Sequence, residues 1–283
     1  MAGLFYLAVI ITSYLNGNMT ASERPKIGYS CYFTRSREGE QFVPEHVFSY
    51  QISGRLTMTD SDGRTTIFTE GDFRFIRRNN LVKYIKEPAA GGEFTSVSVY
   101  LDQQSLRNFS IKHGAMDGKA GMKNSVLMLK PHALFKGYME SLRPYRQDDV
   151  IIGEELQQLK VDEAILILLE TNPELAAILF DFGDPGKIDL EGFMEKNFHF
   201  NVQMNRFAYL TGRSLATFKR DFEKVFKTTP GQWLQDRRLR EAYYQIKDKG
   251  RSASDIYLDL GFEDLSHFSF AFKNKYGLSP SKI

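Results

Sequence analysis

Two stretches near the end of the chain carry the same residues at a constant separation of 50 positions. Leucine, phenylalanine and proline recur in this register, as Leu210, Phe218, Phe222 and Pro230 and then as Leu260, Phe268, Phe272 and Pro280. A repeat of this length is the size of one supersecondary unit rather than of a whole domain. It therefore predicts two copies of one small unit joined in tandem.

Each copy of the repeat has the signals of a glycine turn followed by a capped helix. Gly212 and Gly261 stand where a tight turn between two helices favours a positive φ angle. Ser214 and Asp264 follow them, and their side-chain oxygens can accept hydrogen bonds from free backbone amides at a helix N-terminus. The phenylalanines after each cap are four residues apart and share one helix face. Together these signals predict a tandem helix-turn-helix.

A proline-free helix is predicted between the two copies, over residues 232–246. Its apolar stripe consists of Leu234, Leu239, Ala242 and Ile246. A helix of about 16 residues spans about 24 Å at ~1.5 Å per residue. That length suits a rod that holds two DNA-reading helices about one turn of DNA apart, ~34 Å.

These residues, taken in order, resemble the AraC/XylS family of bacterial transcription regulators over roughly the last 95 residues. The matching residues are Ser214, Phe218, Arg220, Phe222, Thr229, Pro230, Arg238, Leu239, Ala242, Gly261, Phe262, Asp264, Ser266, Phe268, Phe272, Lys273, Gly277, Ser279 and Pro280. The resemblance implies that each unit places its second helix in the major groove of double-stranded DNA. It also implies a transcription activator that contacts RNA polymerase.

Three positions depart from the family pattern. Lys227 stands where family members usually have glycine, and Tyr257 replaces the alanine of a common Ile-Ala pair. Phe270 stands where an arginine is frequent in the second reading helix. This last departure predicts weaker base reading by the second unit, so we expect the first unit to dominate.

The resemblance assigns base reading to seven positions of the two second helices: Ala216, Lys219, Arg220, Leu265, Ser266, His267 and Ser269. Arginine can bind guanine through two hydrogen bonds, whereas lysine and serine can reach a base or a phosphate. Four neighbouring basic residues are predicted to contact DNA phosphates, which set register rather than sequence. These are Lys224, Arg238, Arg240 and Lys273. The alternative for each residue is a solvated helix face without a DNA contact.

The charge of the chain is divided unevenly along its length. The formal net charge of the whole chain is only +2, which by itself argues against a nucleic-acid binder. Residues 187–283, however, hold 17 basic and 12 acidic side chains, whereas the rest holds 20 basic and 23 acidic ones. A net charge of +5 in the repeat region and −3 elsewhere is typical of a basic DNA-binding module attached to an acidic partner domain.

The first half of the chain reads as β structure. Short runs with period-two alternation occupy residues 27–112, and a turn signal at 60–63 separates two of them as a hairpin. Helical periodicity follows over 132–180, and a Gly/Pro cluster ends near residue 186. The predicted fold class is α+β in two domains: a cupin-like β-barrel or jelly roll with following helices, then an all-α tandem helix-turn-helix.

The boundaries that follow are a sensor domain over 19–112, a helical linker and dimerisation region over 113–186, and a DNA-binding domain over 187–283. Six aromatic residues are candidates for lining a small-molecule effector pocket: Phe48, Tyr50, Phe73, Phe75, Tyr84 and Tyr100. Alternatively these rings fill the barrel, or the sensor domain binds a protein effector. The helices at 132–180 are the predicted homodimer contact, with packing on their own barrel as the alternative.

Residues 1–18 form an apolar leader that we interpret as a misassigned start, with the working protein beginning near Met19. The apolar run is shorter than the ~20 residues of a membrane span, so no membrane association is predicted. The lone cysteine, Cys31, fits a reducing cytoplasm. His46 and His113 do not form the ligand pattern of a metal cupin, so no metal, cofactor or catalytic residue is predicted. A cupin-type metal enzyme with a helical appendage is the alternative function.

Overall fold

The computed structural model describes residues 26–37, 41–114, 124–146 and 153–283. The chain divides into an N-terminal unit, Met1–Gly183, and a C-terminal unit, Asp184–Ile283. This boundary lies three residues before the one that the sequence predicts. The leader at 1–18 lies outside the described residues.

Two antiparallel sheets form the frame of the N-terminal unit. Their strands are β1 (Ile27–Tyr32), β2 (Phe42–Val43), β3 (His46–Ser53), β4 (Arg55–Asp60), β5 (Thr65–Phe68), β6 (Phe73–Ile76), β7 (Asn80–Glu87), β8 (Phe94–Leu101) and β9 (Val126–Leu129). The five-stranded sheet has the order β1-β8-β3-β6-β9, and the four-stranded sheet has the order β2-β7-β4-β5. The predicted hairpin is confirmed, because β4 pairs with β5 from Leu56 opposite Phe68 to Thr59 opposite Thr65.

Local chemistry explains the two turns that flank β4. Gly54 has φ +77°, and a Cβ atom there would lie 2.6 Å from the Glu87 carbonyl oxygen, so only glycine fits. At the other end, Asp60 Oδ1 accepts hydrogen bonds from the backbone amides of Asp62 at 2.9 Å and Arg64 at 3.0 Å. An aspartate side chain that accepts from the backbone amides of its own turn favours a tight turn at that position.

The five-stranded sheet is buried on both faces. One face meets the four-stranded sheet around a small apolar cluster that includes Leu56, Met58 and Phe94. The other face is covered by helices α1 (Gln103–His113), α2 (Ala133–Ser141), α3 (Glu154–Thr171) and α4 (Ala176–Leu179). On α3 the sheet-facing residues are Val161, Ala164, Ile165 and Leu168, all with no exposed surface.

The segment predicted as a helical linker belongs to the packed N-terminal unit. Strand β9 lies inside the range 113–186 and pairs with β6, from Phe73 opposite Leu129 to Ile76 opposite Val126. The helices on either side of β9 bury their apolar stripes on the same sheet. The physical reason is that an apolar sheet face and the apolar stripe of a helix must both be buried from water, and here they bury each other.

The C-terminal unit consists of helices with short connections. They are α5 (Leu190–Asn197), α6 (Met204–Leu210), α7 (Leu215–Phe226), α8 (Pro230–Lys247), α9 (Ala253–Ile256) and α10 (Leu265–Tyr276). Ser214 caps α7 by accepting from the Thr217 amide at 3.2 Å, and Asp264 caps α10 by accepting from the His267 amide at 2.6 Å. The tandem helix-turn-helix that the repeat predicts is therefore present, with both caps where the sequence places them.

The repeated glycines and phenylalanines have the same roles in both copies. Gly212 and Gly261 have φ angles of +66° and +85°. A Cβ atom at Gly212 would lie 2.3 Å from the backbone carbonyl carbon of Gly186, so this turn excludes any larger residue. The phenylalanines that follow each cap are fully buried, namely Phe218, Phe222, Phe268 and Phe272. None of the described helices is long and apolar enough to cross a membrane.

Candidate nucleic-acid interface

The predicted base-reading residues of α7 form an exposed face. Ala216, Lys219 and Arg220 are all exposed, while Phe218 and Phe222 point into the core from the opposite side of the helix. The Arg220 side chain is 66% exposed, and its nearest carboxylate oxygen is that of Asp221, 4.0 Å from Nε. The guanidinium therefore projects from the helix with its donors available.

The carboxylate beside Arg220 is held by other cations. Asp221 accepts from Arg213 Nε at 3.2 Å and lies 3.4 Å from Lys187 Nζ. The hydrogen bond from Arg213 and the nearby Lys187 lower the pKa of Asp221, so it is ionised at neutral pH. Because Arg213 and Lys187 already neutralise this charge, Arg220 is not drawn back onto its own helix.

The second reading helix, α10, presents the matching positions. Leu265, Ser266 and His267 are exposed and Ser269 is half-buried. The structure thus brings the predicted base-reading residues of each helix onto one face, one set on each copy of the repeat. The side chains differ in kind: α7 offers two cations, whereas α10 offers hydroxyl, imidazole and apolar groups.

Three of the four predicted phosphate contacts are at the surface. Lys224 and Lys273 are exposed near the ends of α7 and α10. Arg240 is 55% exposed on α8 and forms an ion pair with Asp236 at 3.1 Å, one helix turn away. Asp236 also binds Lys275, so it links α8 to the end of α10. An exposed pair of this kind is weak enough to exchange for a DNA phosphate.

Arg238, the fourth predicted phosphate contact, is instead engaged within the protein. Its guanidinium donates to three backbone carbonyl oxygens, those of Phe198 at 2.7 Å, Phe200 at 2.8 Å and Gly261 at 2.8 Å. Burial lowers the pKa of Arg238 to about 10, so it still carries its charge at neutral pH. Because its donors face protein carbonyls, Arg238 joins the second turn to the α5–α6 connection. A helix periodicity alone cannot show that these carbonyls lie within its reach.

In the N-terminal unit, a cavity of about 110 Å³ lies between the two sheets. Of the six predicted pocket aromatics, Tyr84 and Tyr100 line it. Phe48, Tyr50, Phe73 and Phe75 do not: they lie on the helix-covered face of the five-stranded sheet, in the core with α2 and α3. Period-two alternation puts neighbours on opposite faces, and where both faces of a strand are buried the sequence does not reveal which one meets the second sheet.

The cavity has a polar residue that the sequence analysis did not single out. Arg74 alternates with Phe73 and Phe75 on β6, lines the cavity and is 3% exposed. Its Nη1 donates to Gln51 Oε1 at 3.0 Å, and its Nε has no hydrogen-bond partner among the described residues. Burial lowers the pKa of Arg74 to about 10, which leaves it charged. The sequence signal that could have identified Arg74 is a charged residue between the apolar residues of one strand.

Within the described residues, no three His, Cys, Asp or Glu side chains come together in a way that could hold a metal ion. His46 is buried at the start of β3, where its Nδ1 accepts from the Arg78 amide at 3.2 Å. Cys31 Sγ donates to Glu93 Oε2 at 3.2 Å. The two residues thus engage different partners rather than each other.

Two family models match this chain. A helix-turn-helix domain matches residues 207–283, and the ExsA N-terminal regulatory domain matches residues 46–178. Together these matches cover both units of the structure.

Two full-length relatives match across most of the chain. The HTH-type transcriptional regulator ExsA of Pseudomonas aeruginosa is 24% identical over 82% of this chain and 83% of its own length. The thermoregulatory protein LcrF of Yersinia pestis is 27% identical over 82% of this chain and 86% of its own. Among solved structures, ToxT from Vibrio cholerae matches 92% of this chain and 97% of its own at 11% identity and a TM-score of 0.39.

Proposed function

Because this chain belongs to the AraC/XylS family of transcription regulators, we propose that its two helix-turn-helix units read two adjacent major-groove segments of double-stranded DNA. The observation that carries this proposal is the pair of capped helices, each with a buried phenylalanine stripe and an exposed opposite face. A helix of this kind can lie in the major groove while its core side stays packed. The compartment of action is then the cytoplasm, where bacterial DNA is located.

In this proposal α7 reads bases through Ala216, Lys219 and Arg220, and α10 reads them through Leu265, Ser266, His267 and Ser269. Phosphate contacts come from Lys224, Arg240 and Lys273. Arg220 is the strongest candidate because its guanidinium is exposed and can bind guanine through two hydrogen bonds.

The test is selection of bound sequences from random DNA with the full-length protein, followed by footprinting of Arg220→Ala at equal salt. We expect Arg220→Ala to weaken specific binding by about 1–3 kcal/mol and to relax the preference at one base position. A double change, Ser266→Ala with His267→Ala, is expected to cost less. Identical footprints for wild type and Arg220→Ala contradict the reading by α7, and a larger loss from the double change reverses the order of the two units.

For transcription itself, we propose activation through contact with RNA polymerase, as the family resemblance implies. The measurement is transcription in vitro from a promoter that carries the selected site. Added protein is expected to raise the transcript yield, and a fall in yield identifies a repressor instead.

We propose that the N-terminal unit is regulatory rather than catalytic, and that the cavity between its sheets binds a small anionic effector. The support is Arg74, a buried cation whose assigned hydrogen bond goes to the neutral amide of Gln51. A buried charge is stabilised by a counterion, and a carboxylate can accept from the free Nε of Arg74. Lys86 and Glu45 also line the cavity, so the charge there is mixed but includes two cations.

The effector proposal is tested by thermal unfolding of the full chain with propanoate or butanoate and with their neutral amides. The carboxylates are expected to raise the melting temperature more than the amides do, and Arg74→Met is expected to remove the difference. Arg55→Met, at an exposed position of β4, is the control. Equal shifts for acid and amide in the wild-type protein contradict the anion site and leave a protein effector as the regulator. Stoichiometric bound metal in the purified protein favours the alternative of a cupin-type enzyme.

We further propose that the protein forms a homodimer through the region 132–180. The opposite side of α3 from the sheet exposes Leu156, Leu159 and Leu166, with 41%, 59% and 45% of their surface accessible. Leu159→Glu is expected to shift the sedimentation coefficient to that of a monomer. Ile111→Glu, the same exchange of an apolar for an acidic side chain at an 84% exposed position of α1, is the control. A monomer in both wild type and control contradicts the dimer.

A further inference from the structure

The repeat places a phenylalanine of α10 where α7 has its main base-reading arginine. Phe270 is 50 positions after Arg220, in the register that relates the repeated leucines, phenylalanines and prolines. The two side chains are equally accessible: Phe270 is 67% exposed and the Arg220 side chain is 66% exposed. The second unit therefore presents an aromatic ring at the position from which the first unit presents a guanidinium.

The exposure of Phe270 is not explained by the core of its own unit. The core side of α10 is filled by Phe268, Ala271 and Phe272, which are 0%, 4% and 0% exposed. Phe270 lies on the other side, about one helix turn after Ser266 and one turn before Lys273. Its neighbours on this face are thus predicted base and phosphate contacts, and the ring is the largest apolar group among them.

An apolar ring in the major groove has a specific partner. It offers no hydrogen bond to guanine, adenine or cytosine edges, but it can pack on the 5-methyl group of thymine. We propose that Phe270 reads a thymine in the DNA segment bound by the second unit, at the place where an arginine would read guanine. This inference rests on the proposed function, because it needs α10 to lie in the major groove.

The absence of an arginine at this position then does not remove base reading from the second unit. The sequence comparison with the family predicts that α10 reads bases weakly. With Phe270 as a reader, α10 still prefers one base at this position, and that base is thymine rather than guanine. The two units then prefer different bases at equivalent positions, so a tandem site has a direction although the protein repeat is nearly regular.

The test uses the full-length protein and a DNA site selected from random sequence, with each thymine of the second segment replaced in turn by deoxyuridine. Deoxyuridine pairs like thymine and lacks only the methyl group. Burial of one methyl group contributes about 0.8 kcal/mol, so one substitution is expected to weaken wild-type binding about fourfold. Phe270→Ala is expected to weaken binding to the thymine site to the same extent and to bind both sites equally.

Two further variants sharpen the result. Phe270→Arg is expected to shift the selected base at that position from thymine to guanine. Phe33→Ala is the matched control, because Phe33 is 64% exposed in the N-terminal unit, and it is expected to keep the fourfold difference. Leu265 is also exposed on α10, but a methyl contact from Leu265 would survive in Phe270→Ala.

The outcomes separate this inference from the proposed function. A selected two-segment site that is insensitive to every deoxyuridine, or whose sensitivity persists in Phe270→Ala, overturns the reading by Phe270 and leaves DNA reading intact. Failure to select any sequence overturns both. An unchanged melting temperature for Phe270→Ala shows that the variant is folded, as expected for a residue outside the core.

Discussion

At the scale of single residues, the two copies of the repeat end their reading helices differently. Gly277 ends α10 with a φ of +77°, in the left-handed region that favours glycine. Lys227 ends α7 with a φ of +57°, although a lysine in this region is strained by its Cβ atom. In both cases the amide of this residue donates to a carbonyl four residues earlier, so the cap geometry is kept whatever the side chain.

This difference predicts that Lys227→Gly stabilises the protein. Relief of the left-handed strain gains about 1–2 kcal/mol, and the greater freedom of glycine in the unfolded chain takes back about 0.5–1 kcal/mol. The expected net gain is therefore about 0.5–1 kcal/mol in the free energy of unfolding, measured by urea denaturation of the full chain.

Gly277→Ala is the mirror-image control for Lys227→Gly. No atom lies within 4 Å of the added Cβ, so only backbone strain opposes the change. We expect a loss of about 1 kcal/mol. If Lys227→Gly is neutral while Gly277→Ala is destabilising, the lysine conformation is not strained as we infer.

At the scale of elements, helix α8 packs against both reading helices and contacts the second turn along its length. Near its start, Trp233 packs on Phe226 with ring centroids 4.6 Å apart, beneath α7. Ten residues later, Tyr243 packs on Tyr276 with centroids 4.7 Å apart, beneath α10. Arg238 lies midway and binds the second turn through Gly261. The helix predicted over 232–246 is thus present as the 18-residue α8, packed against both reading helices.

Substitutions of two arginines of α8, Arg238 and Arg240, are predicted to affect different properties: stability for the first and DNA binding for the second. Arg238→Met leaves three carbonyl oxygens without their donor and should lower the free energy of unfolding of the C-terminal unit by about 2–4 kcal/mol. Arg240→Met removes only an exposed ion pair and should cost less than about 1 kcal/mol. In DNA binding the order reverses: Arg240→Met should reduce the slope of log affinity against log salt by about 1, as expected for one lost phosphate contact.

The two readouts are urea unfolding and DNA binding at several salt concentrations. For Arg238→Met, measured below its melting temperature, the salt slope should equal that of the wild type. A reduced salt slope together with unchanged stability in this variant would restore Arg238 as a phosphate contact and refute its role as a link.

At the scale of the whole molecule, the chain joins a basic DNA-binding unit to an acidic regulatory one, and each carries its own buried cations. In the N-terminal unit a buried histidine adds a pH dependence. Burial, with the charges of Arg78 and Arg77, lowers the pKa of His46 from 6.5 to about 3. The neutral ring stacks on Phe75 with centroids 5.4 Å apart. His46 is therefore neutral in the folded protein at every pH near neutrality.

The sign of the pH effect follows from this shift. The unfolded chain takes up a proton at His46 below pH 6.5, whereas the folded chain does so only near pH 3. Acidification between these values therefore favours the unfolded state, by at most about 1.4 kcal/mol per pH unit for one group. Above pH 6.5 the neutral state of His46 contributes fully to the free energy of unfolding, and this contribution is lost as the pH falls towards 3.

The measurement compares wild type with His46→Gln by urea unfolding at pH 8, 7, 6 and 5. The stability difference between them should be constant above pH 7 and shrink by about 1 kcal/mol between pH 6 and 5. Other groups titrate equally in both proteins and cancel in the difference. Parallel pH profiles for the two proteins would show that His46 does not titrate as its burial indicates.

The sequence by itself determined the tandem helix-turn-helix, its turns and its caps. These depend on local chemistry: a glycine with positive φ, a side chain that accepts from an amide three residues on, and phenylalanines four residues apart. Such signals act within about a dozen residues and recur at a fixed interval, so the 50-residue spacing exposes them without a structure. The β-rich first half and its hairpin at 60–63 followed from turn residues in the same way.

Only the tertiary structure decided which face of each element meets which partner. Strand β3 has aromatic residues on one face and mostly polar ones on the other, yet both faces are buried, so alternation could not tell that Phe48 faces the helices while Ser49 faces the second sheet. On α8, the helix period could not tell that Arg238 reaches carbonyls 38 and 40 positions earlier in the chain while Arg240 stays exposed. The reason is the same in each case: burial and hydrogen-bond partners come from residues far away in sequence, and only folding brings them within contact distance.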